Sequence, residues 1–178
     1  MFARTERLTL RPPWPEDAPA LADAIGHEAV VKMLARVPWP YRLEDATAWT
    51  AASPASDVPR FLIFAHDHHT PRLVGAIGID GEGHDLGYWI TPSAWSRGYA
   101  TEAGRAVVAI ARDTLRLPYL RASCFSDNPA SRRVLQKLGF RETGRAAQPS
   151  LARGGVSPAI FMTLDLAEEP CRSEAIAA

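Results

Sequence analysis

Short apolar runs bounded by turn residues recur along the chain and predict β-strands. Near the start, Leu8 and Leu10 alternate with polar neighbours, which is the period of a half-buried strand. The later runs are rich in β-branched and aromatic residues and are separated by segments that contain glycine, proline or aspartate. The predicted strands are residues 7–11, 61–65, 73–79, 86–90, 119–125, 140–144 and 159–166.

Helical spacing fills most of the intervals between these strands. Pro15 and the two acids after it are typical of a helix N-terminus, and Leu21 and Ile25 then fall on one face. Asn128 is a cap residue, Pro129 suits the first helical position, and Gly139 suits a helix end. The longer helical stretches are predicted at about 43–52, 103–115 and 129–138.

The order of these elements predicts an α/β or α+β fold. A chain of 178 residues is the usual size of one domain. We therefore predict a single domain over residues 1–168. Residues 169–178 carry no pattern, and we expect a frayed tail there.

The loop after the strand at 86–90 is a candidate anion site. It opens a helix-like run, and the first N–H groups of a helix lack acceptors within it while the helix dipole favours negative charge. Gly98 allows the backbone to approach a ligand closely, and Arg97 adds a cation. The pattern predicts a phosphate or pyrophosphate ligand, although neither a Walker nor a Rossmann glycine motif is present.

Composition narrows the classes of function. Lys and Arg total 20 against 20 Asp and Glu, so the chain lacks the basic surplus that is usual for nucleic-acid binding. No apolar run reaches the length of a membrane span, and no signal peptide opens the chain. The two cysteines, Cys124 and Cys171, do not suggest a disulfide framework. We expect a cytoplasmic protein that binds neither nucleic acid nor membrane.

In its motifs the chain resembles the GNAT acetyltransferases, in particular the branch of the ribosomal-protein N-terminal acetyltransferases. The pyrophosphate loop of that family reads Gln/Arg-x-x-Gly-x-Gly/Ala, and Gly98 and Ala100 match it while Trp95 departs from its first position. The helix at 128–140 resembles the family's Asn-x-x-Ser…Lys-x-Gly-Phe pattern. The segment at 6–11 and the Tyr88-Trp89 pair also resemble this branch.

The resemblance implies a mixed sheet of about seven strands that is flanked by helices. This sheet splays at its centre, between the segments at 85–91 and 119–125, and admits acetyl-CoA as co-substrate. The resemblance also makes a homodimer one of the assemblies to expect, and we predict no metal. The residues that it assigns to acetyl-CoA binding are Ile90, Thr91, Arg97, Gly98, Tyr99, Ala100, Thr101, Asn128 and Ser131.

A proton donor for the leaving thiolate is also implied by the resemblance. Many family members place a tyrosine on the helix after Asn128, but the matching position is Leu135, which cannot donate a proton. The ribosomal-protein branch is thought to use the serine of Asn-x-x-Ser, which is Ser131. Ser131 has two interpretations: it donates a hydrogen bond to the thiolate, or it only belongs to the helix start, where Asn128 acts as a cap.

A general base is required because only a neutral amine attacks a thioester. The candidates near the presumed splay are Asp85, which we select, and Asp80, Glu82 and His84 in the preceding hairpin. Each has the alternative of a plain surface residue, and water with backbone carbonyls is a further alternative. Glu102 has the simpler interpretation of a first-turn carboxylate that complements the helix dipole.

Two aromatic residues are candidates for the acceptor site. Trp39 and Tyr41 lie in a proline-containing loop where the family's first helices cover the substrate side, although core packing is the alternative for aromatic residues. The run from His66 to His69 resembles a metal-binding motif, but no cysteine or carboxylate cluster completes a set of ligands. We expect a solvated loop there.

The sequence thus predicts an acetyl-CoA-dependent N-acetyltransferase in which an amine attacks the thioester directly in a ternary complex. The acceptor stays open between a protein N-terminal α-amine and a small-molecule amine, such as an antibiotic or a polyamine. The alternative from another class is a CoA-binding sensor or interaction module without turnover.

Overall fold

The computed structural model describes residues 1–52, 58–66, 70–81 and 83–167. Within these residues the chain forms one sheet of eight strands in the order β1-β2-β3-β4-β5-β6-β8-β7. The strands are β1 (Ala3–Arg4), β2 (Leu8–Arg11), β3 (Arg60–Ala65), β4 (Arg72–Asp80), β5 (Asp85–Ile90), β6 (Tyr119–Phe125), β7 (Arg141–Ser150) and β8 (Gly155–Asp165).

Five α-helices connect or precede these strands: α1 (Ala18–Ile25), α2 (Glu28–Val31), α3 (Leu43–Ala51), α4 (Tyr99–Ala109) and α5 (Pro129–Lys137). A 3₁₀ turn at Pro15–Asp17 leads into α1, a second at Pro92–Ala94 precedes α4, and a π-helical segment at Ile110–Thr114 extends α4. None of the helices in the described ranges combines the length and the apolar character that crossing a membrane requires.

The start of α1 follows from local chemistry. The carboxylate of Asp17 accepts hydrogen bonds from both terminal nitrogens of Arg11, at 2.7 and 2.6 Å, and from the backbone N–H of Trp14 at 2.7 Å. Pro15 fits the first turn because it has no N–H that would need an acceptor. The sequence predicted this helix start correctly.

The two faces of the sheet are covered differently. On one face, apolar side chains of the central strands pack with α4 and α5 in the main core, which includes Leu86, Val107 and Leu135. On the other face, α1 and α3 cover β3 and β4, where Leu62 and Ala76 are buried against Leu21 and Ala46. Alternation along β5 therefore directs Tyr88 toward α4 and α5 and Trp89 toward the opposite face.

The expectation of about seven strands is close, but the described residues form eight. The short strand β1 was missed because its two residues carry no detectable period. β7 and β8 each extend well beyond the predicted segments at 140–144 and 159–166. Almost all of β7 is exposed, so its pairing with β8 leaves no hydrophobic alternation to detect. α4 begins at Tyr99 rather than Ala103.

Candidate active site

The centre of the sheet opens between β5 and β6. These neighbours are parallel, and their ladder has a single register pair, Asp85 with Arg121. A backbone hydrogen bond of 3.1 Å from Arg121 to His84 closes the same end. Beyond that pair β5 continues to Ile90 with no further ladder partner on β6. The sheet therefore has a central gap that widens toward the carboxyl ends of both strands, where the splay was predicted.

The edge of β5 along this gap carries backbone amide groups. The N–H of Thr91 donates to the carbonyl of Val74 at 2.9 Å. Because hydrogen-bonded residues alternate along an antiparallel strand, Trp89 and Gly87 also bond to β4. The residues between them, Tyr88 and Ile90, direct their N–H and C=O groups toward the gap. At Thr91 the N–H is paired with β4 and the side chain is buried.

Trp95 closes the far end of the same edge. Its indole Nε1 donates to the carbonyl oxygen of Ile90 at 2.7 Å. The residue that departs from the family's loop pattern therefore ties the loop back onto β5. Its ring stays about half exposed beside the gap.

The loop that follows leads into α4 through Gly98. This residue is the N-cap and has φ +80°, a left-handed conformation that glycine adopts without strain. Gly98 is exposed, and a methyl group placed on it would lie 3.6 Å from Arg7 Nη2. The next N–H groups of the helix, including those of Ala100 and Thr101, belong to the first turn, which has no intrahelical acceptors. The side chain of Tyr99 is buried in the core.

Glu102 fastens α4 to the N-terminal segment. Its Oε1 accepts from Thr5 Oγ1 at 2.6 Å and from the backbone N–H of Arg7 at 2.9 Å. Its Oε2 accepts from Arg7 Nε at 2.8 Å, and Arg7 Nη1 also donates to the carbonyl of Arg97 at 3.1 Å. Burial by itself raises the pKa of Glu102, but the hydrogen bonds from Thr5 and Arg7 outweigh it and lower that pKa. This carboxylate is a structural anchor of the loop in addition to a first-turn acid.

Asn128 and Ser131 meet at the start of α5, on the other side of the gap. The side-chain oxygen of Asn128 accepts from the backbone N–H of Ser131 at 3.0 Å, so Asn128 caps the helix. The hydroxyl of Ser131 lies 2.8 Å from the hydroxyl of Tyr88. Sequence reasoning did not assign a role to Tyr88, since 43 residues separate it from Ser131 and its only signal was the Tyr-Trp pair.

Two buried residues near this point are unsuited to proton or acyl transfer. Leu135, which occupies the position of the family's tyrosine, is 1% exposed and belongs to the core. Cys124 on β6 is also buried, and burial raises the pKa of its thiol. A thiol with a raised pKa is a poor nucleophile, because the thiolate is the reactive form.

The two aromatic residues assigned to the acceptor differ in their surroundings. Tyr41 packs against both apolar clusters beneath α1 to α3, and burial raises its pKa to about 12. Trp39 is more exposed, at 39% of its surface. Tyr41 is thus mainly a core residue, whereas Trp39 is accessible to a ligand.

A cavity of about 290 Å³ lies on the sheet face opposite α4 and α5, at the closed end of the gap. Residues of β5, β6, β7 and β8 line it, among them Asp85, Arg121, Ser123, Thr143, Phe161 and Thr163. Next to it, a methyl group added at Gly87 would meet no neighbour within 4 Å among the described residues. The cavity combines one carboxylate, one guanidinium, several hydroxyls and an aromatic ring.

The candidate bases have different partners. Asp85 Oδ1 lies 3.7 Å from Arg121 Nε, and the Asp85 side chain is 56% exposed in the cavity wall. Asp80 forms an ion pair with Arg36. The ring of His84 packs against that of Tyr119, with centroids 5.3 Å apart. Glu82 lies outside the described residues.

The histidine run is only partly within the described residues. His66 Nε2 shares a hydrogen bond of 2.6 Å with Thr9 Oγ1, which ties it to β2. Residues 67–69 lie outside the described ranges, as does the tail at 169–178. In the ranges that are described, no three His, Cys, Asp or Glu residues group together in a way that could hold a metal ion.

Comparison with protein families matches residues 7–141 to the acetyltransferase (GNAT) domain. Among curated proteins, the N-acetyltransferase YoaA of Bacillus subtilis is 38% identical over 80 residues, which are 42% of this chain and 45% of that protein. YnaD of the same organism is 29% identical over 105 residues, which are 57% of this chain and 61% of that protein. The matches to these two relatives thus cover less than two thirds of their length.

Solved structures share the whole fold. A GNAT-family acetyltransferase from Bacillus anthracis superposes with a TM-score of 0.80 at 22% identity and covers 94% of this chain and 100% of that one. RimL, a ribosomal L7/L12 α-N-protein acetyltransferase in complex with coenzyme A, gives a TM-score of 0.74 at 18% identity, with 93% and 98% covered.

Proposed function

The chain belongs to the GNAT acetyltransferase family, and on that premise we propose that it transfers an acetyl group from acetyl-CoA to a primary amine. The observation that carries the proposal is the open edge of β5, which the loop at 91–98 connects to the N-terminus of α4. The reaction is a direct attack by the neutral amine on the thioester carbonyl. A C–N bond forms, the C–S bond breaks, the amine loses a proton and the CoA sulfur gains one.

The residues around the gap fit acetyl-CoA at two points. The pyrophosphate suits the first turn of α4, where the N–H groups of the helix start lie next to the exposed Gly98. The amide-containing arm suits the edge of β5, where the backbone groups of Tyr88 and Ile90 face the gap. A backbone N–H at this edge would also polarise the acetyl carbonyl. Arg97, Ala100 and Thr101 complete the proposed loop contacts.

Ser131 is the proposed hydrogen-bond donor to the departing thiolate. It lies at the first turn of α5 on the gap side, and its hydroxyl is within hydrogen-bond distance of Tyr88. A serine hydroxyl stabilises the developing charge without itself becoming ionised. Leu135 cannot perform this task because it is apolar and buried.

The proposed acceptor site is the cavity on the opposite face of the sheet. The amine would then reach the thioester from the side away from α4, with Asp85 in the cavity wall to attract an ammonium group and take its proton. Trp39 is the proposed contact for the remainder of the acceptor, because it is the more exposed of the two loop aromatics.

The fold alone does not choose between acceptor classes. RimL is an α-N-protein acetyltransferase, whereas the similarly folded MccE is a microcin C7 self-immunity acetyltransferase. We therefore propose a screen that contains both short peptides with free N-termini and small primary amines. Cofactor binding without turnover of any amine would instead indicate the sensor or interaction module.

The test of the cofactor site is calorimetric titration of acetyl-CoA into wild type and Gly98→Trp. We expect binding to wild type and its loss in the variant, because the indole would occupy the space that the pyrophosphate needs. Gly154→Trp is the matched control: Gly154 also has positive φ (+67°) but lies in the turn between β7 and β8. Equal loss in both variants, or no binding to wild type, would contradict the proposed site.

The test of Asp85 is the pH profile of kcat/KM in Asp85→Asn, measured by thiol release with the best amine of the screen. Removing a general base is expected to lower kcat/KM by about 100-fold at neutral pH. Asp113→Asn, an exposed acid in the π-helical segment, is the control. Unchanged kcat/KM in Asp85→Asn would leave water and backbone carbonyls as the proton acceptors.

A further inference from the structure

We propose that Tyr88 is a positioning residue for Ser131 and aims the serine hydroxyl at the gap between β5 and β6. The inference rests on the proposed function, because it assumes that the CoA sulfur comes to that gap. The inference goes beyond the proposed function because it gives a role to a residue on β5 that is remote in sequence from the helix bearing Ser131.

The Tyr88 hydroxyl lies within hydrogen-bond distance of two atoms of Ser131. The phenolic oxygen of Tyr88 lies 2.8 Å from Ser131 Oγ and 3.1 Å from the carbonyl oxygen of Ser131. Tyr88 stands on β5 and Ser131 in the first turn of α5, so the contact joins the two elements that flank the gap on its cofactor side.

The single phenolic hydrogen of Tyr88 sets the direction of the serine hydroxyl. Tyr88 has one O–H hydrogen and two acceptors on Ser131. When it donates to the carbonyl, the serine hydroxyl is free to donate back to the phenolic oxygen. When it donates to Oγ, the serine hydrogen must turn elsewhere, and a thiolate in the gap is the strongest acceptor available. Tyr88 thereby exchanges one hydrogen bond for another as charge develops on sulfur.

The phenol of Tyr88 keeps its proton during this exchange. Burial raises the pKa of Tyr88 far above its usual value, so the phenol remains protonated throughout. The thiol of Cys124 on β6 raises the pKa of Tyr88 further, and burial raises the pKa of that thiol as well. Tyr88 and Ser131 together therefore stabilise the thiolate by hydrogen bonding, and the proton that the sulfur finally gains comes from the amine or from water.

The backbone of Ser131 is already fixed by another residue. Its N–H donates to Asn128 Oδ1 at 3.0 Å as part of the helix cap. Removing the Tyr88 hydroxyl should therefore leave the helix start in place and release only the rotation of the serine side chain. This separation makes Tyr88→Phe an informative variant.

The experiment measures calorimetric affinities for CoA and for desulfo-CoA, which lacks the sulfur, from neutral to alkaline pH. The proteins are wild type, Tyr88→Phe, Ser131→Ala, the double variant, and Tyr119→Phe as a control that loses a phenolic hydroxyl at the start of β6. We expect the preference of wild type for CoA over desulfo-CoA to grow with pH as the thiolate forms. In Tyr88→Phe the increase of this preference with pH should be about three- to tenfold smaller than in wild type, while the affinity for desulfo-CoA stays unchanged.

The double variant distinguishes positioning from an independent effect. If Tyr88 acts through Ser131, adding Tyr88→Phe to Ser131→Ala changes the preference no further. Additive losses, or a preference in Tyr88→Phe equal to that of wild type, would overturn the inference while leaving cofactor binding intact. Failure of wild type to bind either compound would instead contradict the proposed function. A comparison of kcat with the KM for acetyl-CoA completes the test, since the loss should appear in kcat.

Discussion

At the scale of single residues, Glu102 shows how an ordinary first-turn acid acquires a second task. The helix dipole explains an acid at this position, but the carboxylate also holds Thr5 and Arg7. Arg7 in turn donates to the carbonyl of Arg97 in the loop. The loop proposed to bind pyrophosphate is therefore supported from beneath by the N-terminal segment.

We predict that Glu102→Gln lowers the free energy of unfolding by about 1 to 2 kcal/mol, a value that allows for the partly exposed Arg7. Chemical denaturation is the measurement. Glu44→Gln is the control, because Glu44 is an exposed acid in the first turn of α3 and tests the dipole contribution alone. Equal losses in the two variants would show that the contacts to Thr5 and Arg7 add nothing.

The pH dependence of this loss has a definite sign. The folded pKa of Glu102 is lowered, so its contribution is fully present above the unfolded value of about 4.3 and disappears as pH falls through the lower folded value. The difference between wild type and Glu102→Gln should therefore be constant near neutral pH and shrink in acid.

At the scale of elements, Arg153 connects three segments of the chain that are distant in sequence. From the turn between β7 and β8, its Nε donates to the carbonyl of Lys32 at 2.7 Å, just after α2. Its two terminal nitrogens each donate to the carboxylate of Asp127 at 3.0 Å, in the loop that precedes α5. Its guanidinium also lies 4.3 Å from the centre of the Phe125 ring. The turn, the end of α2 and the start of α5 are thereby held together.

We predict that Arg153→Lys increases amide hydrogen exchange in residues 32–36 and 150–154 but not in α4. Lysine keeps the charge but cannot reproduce the planar bidentate contact with Asp127. The expected loss of stability is about 1 to 2 kcal/mol. Arg145→Lys is the control, because Arg145 pairs with Glu142 on the exposed part of β7. Unchanged exchange near residues 32–36 would mean that other contacts hold this segment.

At the scale of the whole molecule, the gap divides one sheet into two halves that the proposed cofactor would bridge. The half from β1 to β5 carries α1 to α3 on one face, whereas β6, β8 and β7 form the other half. A ligand lying along the edge of β5 and against the first turns of α4 and α5 contacts both halves. Binding should therefore be linked to the stability of the entire domain.

We predict that acetyl-CoA at 100 times its dissociation constant stabilises the protein by about 2.7 kcal/mol. For a chain of this size that corresponds to a rise in Tm of about 5 to 11 °C in a thermal melt. Gly98→Trp should show no such rise, whereas Gly154→Trp should behave as wild type. A rise of equal size in Gly98→Trp would contradict the proposed position of the cofactor.

The sequence by itself determined the features that depend on neighbours along the chain. Short apolar runs bounded by turn residues located most strands, Asn128 and Pro129 marked the start of α5, and Gly98 marked the loop before α4. These signals are local because caps, turns and strand faces are set by residues a few positions apart. The same motifs were sufficient to identify the family.

Only the tertiary structure decided which residues meet across the sheet. Tyr88 reaches Ser131 over 43 residues and Arg7 reaches Glu102 over 95, and neither pair leaves a periodic signal in the chain. The open edge of β5 and the long exposed pairing of β7 with β8 were also settled by packing. Strand pairing and side-chain contacts between distant segments depend on which surfaces fold together, and hydrophobic spacing within a single segment does not encode that choice.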